Sequence, residues 1–463
     1  MESTPAVSLG RARRQMSTQL ELPLEARGEA PQGQRSGEAR TATSGPGGSG
    51  TDRLMERVVE RDNVTVAVKR VRQNKGSPGV DGMTVEELPT YLAAHGEAIR
   101  AQLLDGTYQP KPVRAAAIPK RGGGMRTLGI PSVLDRVIQQ SLLQVLQPMI
   151  DPTFSAHSHG FRPGRNAHHA VCEAQRYIQD GKRVVVDVDL EKFFDRVNHD
   201  VLMGRVEQRI ADTRVLGLIR RYLEAGIMAN GVVMERYEGT PQGGPLSPLL
   251  ANVLLDEVDK ELEQRGLAFV RYADDCNVYV RSWRAGTDAM ETLKRLYGQL
   301  RLRINEAKSA VARPQDRTFL GYSFWYAKGG AVKRRVAPKA LAAMKERVRR
   351  ITTRNGGRSM QSVCAELRSY LTGWRNYFQL AETPRVFSNV DEWLRHRLRM
   401  MQLKQWKRGT TIYREMRGLG ANEDAARQVA ANSRRWWKNS AKLLNTALPM
   451  GYYDRRGVPR LAG

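Results

Sequence analysis

The strongest constraint on the fold of this chain is a pair of adjacent acidic residues between two apolar, β-rich segments. Asp274 and Asp275 follow the run at 268–270 and precede the run at 277–280. This pattern predicts a strand, a tight turn and a returning strand, with both carboxylates at the tip. Adjacent carboxylates repel each other, and a divalent cation would relieve that repulsion. Asp is also a common turn residue, so the motif taken alone favours a simple polar turn.

A second acidic strand lies upstream of this hairpin. Residues 183–190 alternate so that the even-numbered positions, all Val or Leu, share one face, and Asp187 and Asp189 share the other. A strand ending in Asp beside the Asp-Asp hairpin brings three carboxylates together. Three carboxylates suit two divalent ions about 4 Å apart, an arrangement that assists nucleotidyl transfer. We expect Asp189 to bind metal and Asp187 to be a strand-end residue that faces solvent.

These acidic residues belong to an ordered series of motifs that spans roughly residues 52–463. The other motifs are NKGSPGVDG at 74–82, IPK at 118–120, RTLGIP at 126–131, GFRPGR at 160–165, GTPQGGPLSP at 239–248, LRINEAKS at 302–309 and FLGY at 319–322. In this order the series resembles the bacterial group II intron reverse transcriptase and maturase family. Many members also carry a C-terminal HNH endonuclease domain. We expect none here, because the only histidine after His199 is His396.

The resemblance implies a fold of class α+β, a right-hand polymerase with fingers and an antiparallel palm sheet, followed by an all-α basic thumb and maturase domain. We expect a disordered tail at 1–51, fingers and palm at 52–330, the helical domain at 331–415 and a basic DNA-binding-like segment at 416–463. The periodicity predicts a hairpin at 108–131, a mainly helical stretch at 201–229, and helices at 54–74, 132–147 (ending before Pro148), 249–265, 338–354, 360–378 and 390–406.

The resemblance also implies the residues of the catalytic centre. Asp189 and Asp274 would be the principal ligands of two Mg²⁺ ions, assisted by Asp275 and the Leu190 carbonyl. A bulky ring at Phe194, five residues after Asp189, would exclude a 2′ hydroxyl and so select deoxynucleotides. A core role is the alternative for this ring, and we assign that role to the preceding Phe.

The remaining implied contacts concern the nucleotide and the template. Residues implied to contact the incoming deoxynucleoside triphosphate are Arg114, Lys120, Arg126, Phe194, Gln242 and Lys308. Gly243 and Arg162 are implied to lie against nucleic acid, since glycine lets two backbones approach closely. A solvated basic hairpin is the alternative for the first three, and a purely structural role is the alternative for Phe161.

Positive charge is concentrated near the C-terminus. The chain has 75 Lys and Arg against 48 Asp and Glu, a net charge of +27. From residue 331 onward there are 29 basic and 9 acidic residues, which leaves 46 minus 39, or +7, for the first 330. This asymmetry indicates a polyanion, with nucleic acid favoured over a membrane surface or a solvated helical face. The residues predicted to bind RNA there are Arg375, Arg395, Arg397, Arg399 and Lys407, whereas a helical core is a strong alternative for Trp374 and Trp393.

Other features narrow the setting. No apolar run approaches the ~20 residues needed to span a bilayer, and the N-terminus lacks the apolar core of a signal peptide. Cys172, Cys276 and Cys364 are too scattered for a zinc site or a disulfide framework. These observations suit a reducing bacterial cytoplasm, and nucleic-acid binding suggests association with the nucleoid.

We therefore predict an RNA-directed DNA polymerase of a group II intron that also acts as a splicing maturase and supports intron mobility. Its partners would be the intron RNA template, a DNA target or primer, and deoxynucleoside triphosphates. One alternative, RNA synthesis, is disfavoured by Phe194. A second, a maturase-only splicing factor, is disfavoured by the intact carboxylates. A third, a domesticated host polymerase of group II origin, stays open.

Overall fold

The computed structural model describes residues 53–119, 125–229, 232–234, 238–240, 243–441 and 443–462. The tail predicted at 1–51 lies outside these residues. Of the described residues, those up to Arg313 form one compact unit and those from Pro314 form another. Within these ranges no helix is long and apolar enough to cross a membrane.

The first unit mixes helices and strands throughout. Its described elements are, in chain order, α1 (Leu54–Val58), α2 (Arg61–Gln73), α3 (Leu88–Leu104), β1 (Val113–Pro119), β2 (Met125–Ile130), α4 (Val133–Ile150), α5 (Ala167–Gln179), β3 (Val184–Val188), α6 (His199–Glu207), α7 (Thr213–Glu224), β4 (Ile227–Ala229), β5 (Val232–Met234), α8 (Ser247–Gln264), β6 (Ala268–Tyr272), β7 (Asp275–Val280), α9 (Trp283–Gln299) and β8 (Ala310–Ala312).

Four of these strands form an antiparallel sheet in the order β6-β7-β3-β8, which we call the acidic sheet. The valines at the even-numbered positions of β3 belong to the main hydrophobic core, as the alternation predicts. Helix α9 covers this apolar face, where Gly286 leaves room for Val184 and Val311. Asp187 lies within β3 opposite Asn277 and is half-buried, so the expected solvent-facing strand end is wrong.

A second sheet has the order β2-β1-β4-β5. Strands β1 and β2 form the predicted hairpin, with Ile118 opposite Arg126. Strand β4 runs parallel to β1, pairing Val113 with Ile227. The stretch at 201–229 is therefore helical through α6 and α7, as predicted, but it ends in a strand.

Two helix boundaries differ from the prediction. The helix predicted at 54–74 is broken between α1 and α2, and Asn63 Nδ2 donates to the freed Val58 carbonyl at 2.9 Å. Helix α4 continues past Pro148 to Ile150, which is buried. Proline removes one helical hydrogen bond, and near the end of a helix with a long apolar face this loss does not terminate it.

The second unit is mostly helical around an aromatic core. Its described elements are β9 (Tyr322–Tyr326), β10 (Val332–Val336), α10 (Pro338–Ile351), α11 (Met360–Tyr377), α12 (Pro384–Trp406), α13 (Gly409–Gly418), α14 (Glu423–Ala431), α15 (Trp436–Ala441), α16 (Leu444–Ala447) and α17 (Met450–Asp454). Trp374 is 3% exposed and packs on Phe378 and Phe387. The region from 331 begins with strand β10, so it is not helical throughout.

Candidate active site and nucleic-acid interface

The tip of the β6–β7 hairpin is a two-residue loop. Tyr272 pairs with Asp275, which leaves Ala273 and Asp274 between the strands. Ala273 has a φ of 57°, a left-handed conformation that a non-glycine residue keeps only when its surroundings fix it. Gly160 lies directly behind, because a Cβ added there would be 2.2 Å from Ala273 N. The main chain at residue 160 therefore packs directly against the hairpin tip, and only glycine at that position leaves room for this contact.

The strand register sets the acidic residues at one end of the acidic sheet. Val188 pairs with Cys276, so one further step of the antiparallel register places Asp189 opposite Asp275. Residues directly opposite each other in antiparallel strands share a face of the sheet. Asp274 occupies the adjoining turn. The three carboxylates thus come from the end of β3 and the start of β7.

Asp189 is held by the segment that precedes β8. Its amide donates to Ser309 Oγ at 3.0 Å, and its carbonyl accepts from Asn305 N at 2.8 Å. Lys308 Nζ lies 3.1 Å from Asp189 Oδ2. A lysine predicted to contact the triphosphate therefore lies against a predicted metal ligand and neutralises part of the acidic charge.

The donor set suits a hard divalent cation. In the described part of the chain, no three His, Cys, Asp or Glu side chains are already gathered closely enough to hold a metal. Mg²⁺ usually takes only one or two carboxylates and completes its shell with substrate phosphates and water. The bridge between Leu190 and Ile304 is made by the neighbouring Asp189 O and Glu191 N, so the Leu190 carbonyl points away from Ile304. These residues fit an ion that arrives with the nucleotide.

Two adjacent phenylalanines follow in a short 3₁₀ turn at Phe193–Asp195. Phe193 is 3% exposed and belongs to the core, as predicted. Phe194 is half-buried, with its ring centroid 5.0 Å from that of Phe193. Its carbonyl accepts from Thr240 N at 2.7 Å, which fixes the backbone that carries the ring.

The residues predicted to bind the triphosphate are described only in part. The Arg114 side chain donates through Nε and Nη2 to the Pro78 carbonyl at 3.0 and 2.7 Å. It therefore ties β1 to the segment at 74–82. Lys120, Gln242 and the side chain of Arg126 lie outside the described residues.

Two residues predicted to approach nucleic acid contact the protein's own backbone. Gly243 has a φ of 137°, and a Cβ there would be 2.7 Å from the Gly129 carbonyl, so this glycine permits a close approach to β2. Arg162 is 5% exposed, with Nε 2.9 Å from Asp151 Oδ1 and Nη1 donating to the Ser155 carbonyl at 2.6 Å. The predicted nucleic-acid contact of Arg162 is wrong, because its guanidinium stabilises the interior.

Two arginines predicted to bind RNA are buried in the second unit. Arg395 is 0% exposed, and its Nη2 lies 2.7 Å from Asp454 Oδ1. Arg399 is 4% exposed and donates to the Leu448 carbonyl at 2.8 Å and to Asn445 Oδ1 at 2.5 Å. The prediction of RNA contact is wrong for both, because the face of α12 that they share packs against the C-terminal segment.

The remaining predicted RNA ligands lie nearer to solvent. Arg375 on α11 and Lys407 just after α12 are exposed. Arg397 is half-buried and donates through Nε to Thr352 Oγ1 at 2.6 Å. Its guanidinium carbon also lies 5.8 Å from the Trp393 ring centroid.

Arg397 belongs to a larger group, which we call the tryptophan–cation surface. It consists of two half-buried tryptophans and five cations against their rings, namely Trp393 with Lys345, Arg349 and Arg397, and Trp436 with Arg354 and Lys404. The distances to the ring centroids run from 4.6 Å for Arg354 to 5.8 Å for Arg397. Sequence reasoning missed four of the cations, although the spacing of Lys345 and Arg349 predicts one face of α10.

A hydrogen-bonded cluster that the sequence did not predict adjoins β6. Glu173 of α5 lies 2.6 Å from His157 Nδ1, 2.6 Å from His159 Nε2 and 2.9 Å from Tyr177 Oη. The bond to Glu173 raises the pKa of His157 above its ordinary value. Burial alone would raise the pKa of Glu173, but the hydrogen bonds from both histidines and Tyr177 hold it well below its usual range.

Comparisons with known proteins agree with this architecture. The family described as Reverse transcriptase (RNA-dependent DNA polymerase) matches residues 118–324, and the Group II intron, maturase-specific domain matches residues 341–419. Protein YkfC of Escherichia coli is 34% identical over 312 residues, which are 58% of this chain and 82% of that protein.

Two further relatives are intron-encoded. Group II intron-encoded protein LtrA of Lactococcus lactis is 37% identical over 47% of this chain, and the Putative COX1/OXI3 intron 1 protein of Saccharomyces cerevisiae is 32% identical over 44%. The alignments span 36% and 24% of those longer proteins. The chain belongs to the group II intron family of reverse transcriptases, with a reverse transcriptase domain followed by a maturase-specific domain.

Proposed function

We propose that this chain copies group II intron RNA into DNA by extending the 3′ end of a primer at the acidic end of the β3–β7 pair. One observation carries the proposal. Val188 pairs with Cys276 and Tyr272 pairs with Asp275, so Asp189, Asp274 and Asp275 lie at the same end of the acidic sheet. Carboxylates are the protein donors that two-metal nucleotidyl transfer uses, and a nucleotide that brings its own Mg²⁺ would draw these three onto the ions.

Each residue then has a distinct task. Two bound Mg²⁺ ions would activate the primer hydroxyl and neutralise the triphosphate. Asp189 and Asp274 hold the ions, and Asp275 assists. Lys308, whose ammonium lies 3.1 Å from Asp189 Oδ2, gives a proton to the departing pyrophosphate. The Phe194 ring closes the space below the sugar C2′ and so favours deoxynucleotides.

Primer extension tests this proposal directly. Wild-type protein is given an RNA template, a DNA primer, deoxynucleotides and Mg²⁺, and is compared with Asp274→Ala. Asp288→Ala, at an exposed position on α9, makes the same chemical change away from the acidic sheet. We expect extension by wild type and Asp288→Ala and none by Asp274→Ala. A folded, RNA-binding wild type that extends no primer would contradict the polymerase assignment.

We place RNA binding by the second unit on the tryptophan–cation surface. Five cations held this close together repel one another, and a bound polyanion relieves that repulsion. Contact with the aromatic faces holds the cations in fixed positions, which lowers the ordering cost of binding. Because the cations already cover the rings, phosphate contact rather than base stacking is the expected mode.

Splicing assistance is a second activity, favoured by the maturase-specific match at 341–419. It requires RNA binding rather than the carboxylates, so the two activities are separable. Asp274→Ala should assist splicing of the intron RNA as well as wild type does, while Arg349→Gln should assist it less. Equal loss of splicing in Asp274→Ala would refute this separation. Intron mobility would need both activities together.

A further inference from the structure

The acidic hairpin is fixed from within the protein by a buried arginine that sequence reasoning did not single out. Arg271 precedes Tyr272 in β6 and is 0% exposed. Every second side chain of a strand points to the same face, and Arg271 lies two residues after the buried Phe269. Its side chain therefore points to the core face of the acidic sheet, away from the carboxylates. The guanidinium nevertheless reaches the hairpin tip, since Nη1 donates to the Ala273 carbonyl at 3.0 Å.

Helix α8 provides the anchor for this arginine. Asp259 on α8 is 0% exposed and accepts from Arg271 Nε at 2.8 Å and from Nη2 at 2.5 Å. Asn252, two turns earlier, accepts from Arg271 Nη1 at 2.9 Å and donates to the Gly160 carbonyl at 2.9 Å. Arg271 and Asn252 therefore connect helix α8 by hydrogen bonds both to the hairpin and to the segment containing Gly160 behind it.

The bond to Ala273 has a specific geometric effect. A peptide group is planar, so holding the Ala273 carbonyl oxygen also sets the direction of the Asp274 amide and Cα. Ala273 keeps its left-handed φ of 57° only while neighbouring groups enforce it. Without the guanidinium, the peptide between Ala273 and Asp274 can rotate, and the Asp274 carboxylate moves with it.

We infer that Arg271, Asp259 and Asn252 form a positioning network that aims the Asp274 carboxylate at the reaction centre. The inference rests on the proposed function for its catalytic consequence. None of the three residues touches substrate in this role. They act through the backbone of the turn, so their loss lowers the rate of the chemical step rather than the affinity for nucleotide or template.

Asp259→Asn and Arg271→Lys test this network in the full-length protein. The first keeps the size of the side chain but removes the charge that anchors the guanidinium. The second keeps the positive charge but has a single nitrogen, which cannot reach both Asp259 and the Ala273 carbonyl. Displacement of a catalytic group by about 1 Å lowers rates by ~100-fold, so both variants should show a loss of that order in single-turnover extension.

Asp256→Asn is the matched control for a buried ion pair on the same helix. Asp256 is also 0% exposed, and its partners are Arg209 at 2.7 Å, Lys260 at 2.7 Å and the Ser155 amide at 3.2 Å. Asp256→Asn and Asp259→Asn should lower the melting temperature to a similar degree. Only Asp259→Asn should reduce the single-turnover rate, with the KM for deoxynucleotide and the affinity for template–primer unchanged.

Hydrogen–deuterium exchange supplies a readout that does not depend on activity. Amides of residues 272–276 should exchange faster in Asp259→Asn and Arg271→Lys than in wild type, and should be unchanged in Asp256→Asn. Equal rates and equal exchange in Asp259→Asn and Asp256→Asn would overturn the network. An inactive wild type whose hairpin still loosens in Asp259→Asn would contradict the proposed function and leave the positioning network supported.

Discussion

Gly160→Ala is the smallest change that should disable the candidate active site. An added Cβ would lie 2.2 Å from Ala273 N and 2.9 Å from Tyr272 C, both backbone atoms of the acidic hairpin. Real Cβ atoms essentially never come closer than 3.0 Å to such atoms, so the two segments must separate by at least 3.0 minus 2.2, or 0.8 Å. Backbone atoms cannot rotate away as a flexible side chain can.

The size of this displacement gives the expected loss in the rate of primer extension. A shift near 1 Å costs ~100-fold in rate, which corresponds to about 2.7 kcal/mol of transition-state stabilisation. Overpacking a well-filled site also costs about 1–3 kcal/mol of folding stability. Single-turnover extension of a DNA primer on RNA measures the first quantity, and denaturant unfolding measures the second.

Gly204→Ala is the control. Gly204 lies on α6, and a Cβ built there meets nothing within 4 Å. Alanine favours a helix by up to about 1 kcal/mol over glycine, so this variant should be at least as stable as wild type and equally active. Extension by Gly160→Ala at the wild-type rate, with unchanged stability, would show that the hairpin is not held against Gly160 and would refute the argument.

Three other predictions concern the selection of deoxynucleotides by Phe194, the tryptophan–cation surface and the dependence of stability on pH. Phe194→Val should raise the kcat/KM for ribonucleotides relative to deoxynucleotides by ~10-fold or more, measured in competing primer extension. Arg349→Gln should reduce the salt slope of RNA binding by ~0.7–1, whereas Arg427→Gln on α14 should not change it. The pKa of His157 is raised above 6.5 by Glu173, so the stability from this pair is complete below pH 6.5 and is lost as the pH rises through the raised pKa. Unfolding free energies measured from pH 6 upward should therefore fall less steeply in His157→Gln than in wild type.

The acidic sheet could be predicted from sequence because its signals are local. Alternation of valine with acid in β3 fixes which face is buried, and an acidic pair between two apolar runs fixes the hairpin. The register that pairs Val188 with Cys276 is a non-local fact, and the sequence indicated only that a strand ending in Asp lies beside the acidic hairpin. The core role of Phe193 followed from the family resemblance, because the resemblance assigns the position below the sugar to Phe194.

The roles of individual arginines could not be predicted, because the charge of an arginine does not indicate which group it will bind. Arg395 and Arg399 are four residues apart and share a helix face, but nothing local indicates that residues 440–458 cover that face. Arg162 lies in a motif that suggests template contact, yet its donors are used by carbonyls of the preceding loop. No local pattern indicates the role of Arg271, since its partners on α8 are separated from it in sequence.

The net charge of the chain is therefore larger than the charge that is available to contact nucleic acid. Among the arginines that bind main-chain carbonyls inside the protein are Arg162, Arg271, Arg395 and Arg399. Each is at most 5% exposed, so none releases a counterion from RNA. The salt slope should follow the cations of the tryptophan–cation surface instead of the excess of +20 beyond residue 330. If all 29 basic residues beyond that point bound phosphate, the slope would be near −20 at ~0.7 per contact, whereas five surface cations give about −3.5. Measuring RNA affinity across a salt series distinguishes these values, and it tests at once whether the buried arginines serve the fold and the exposed ones serve the RNA.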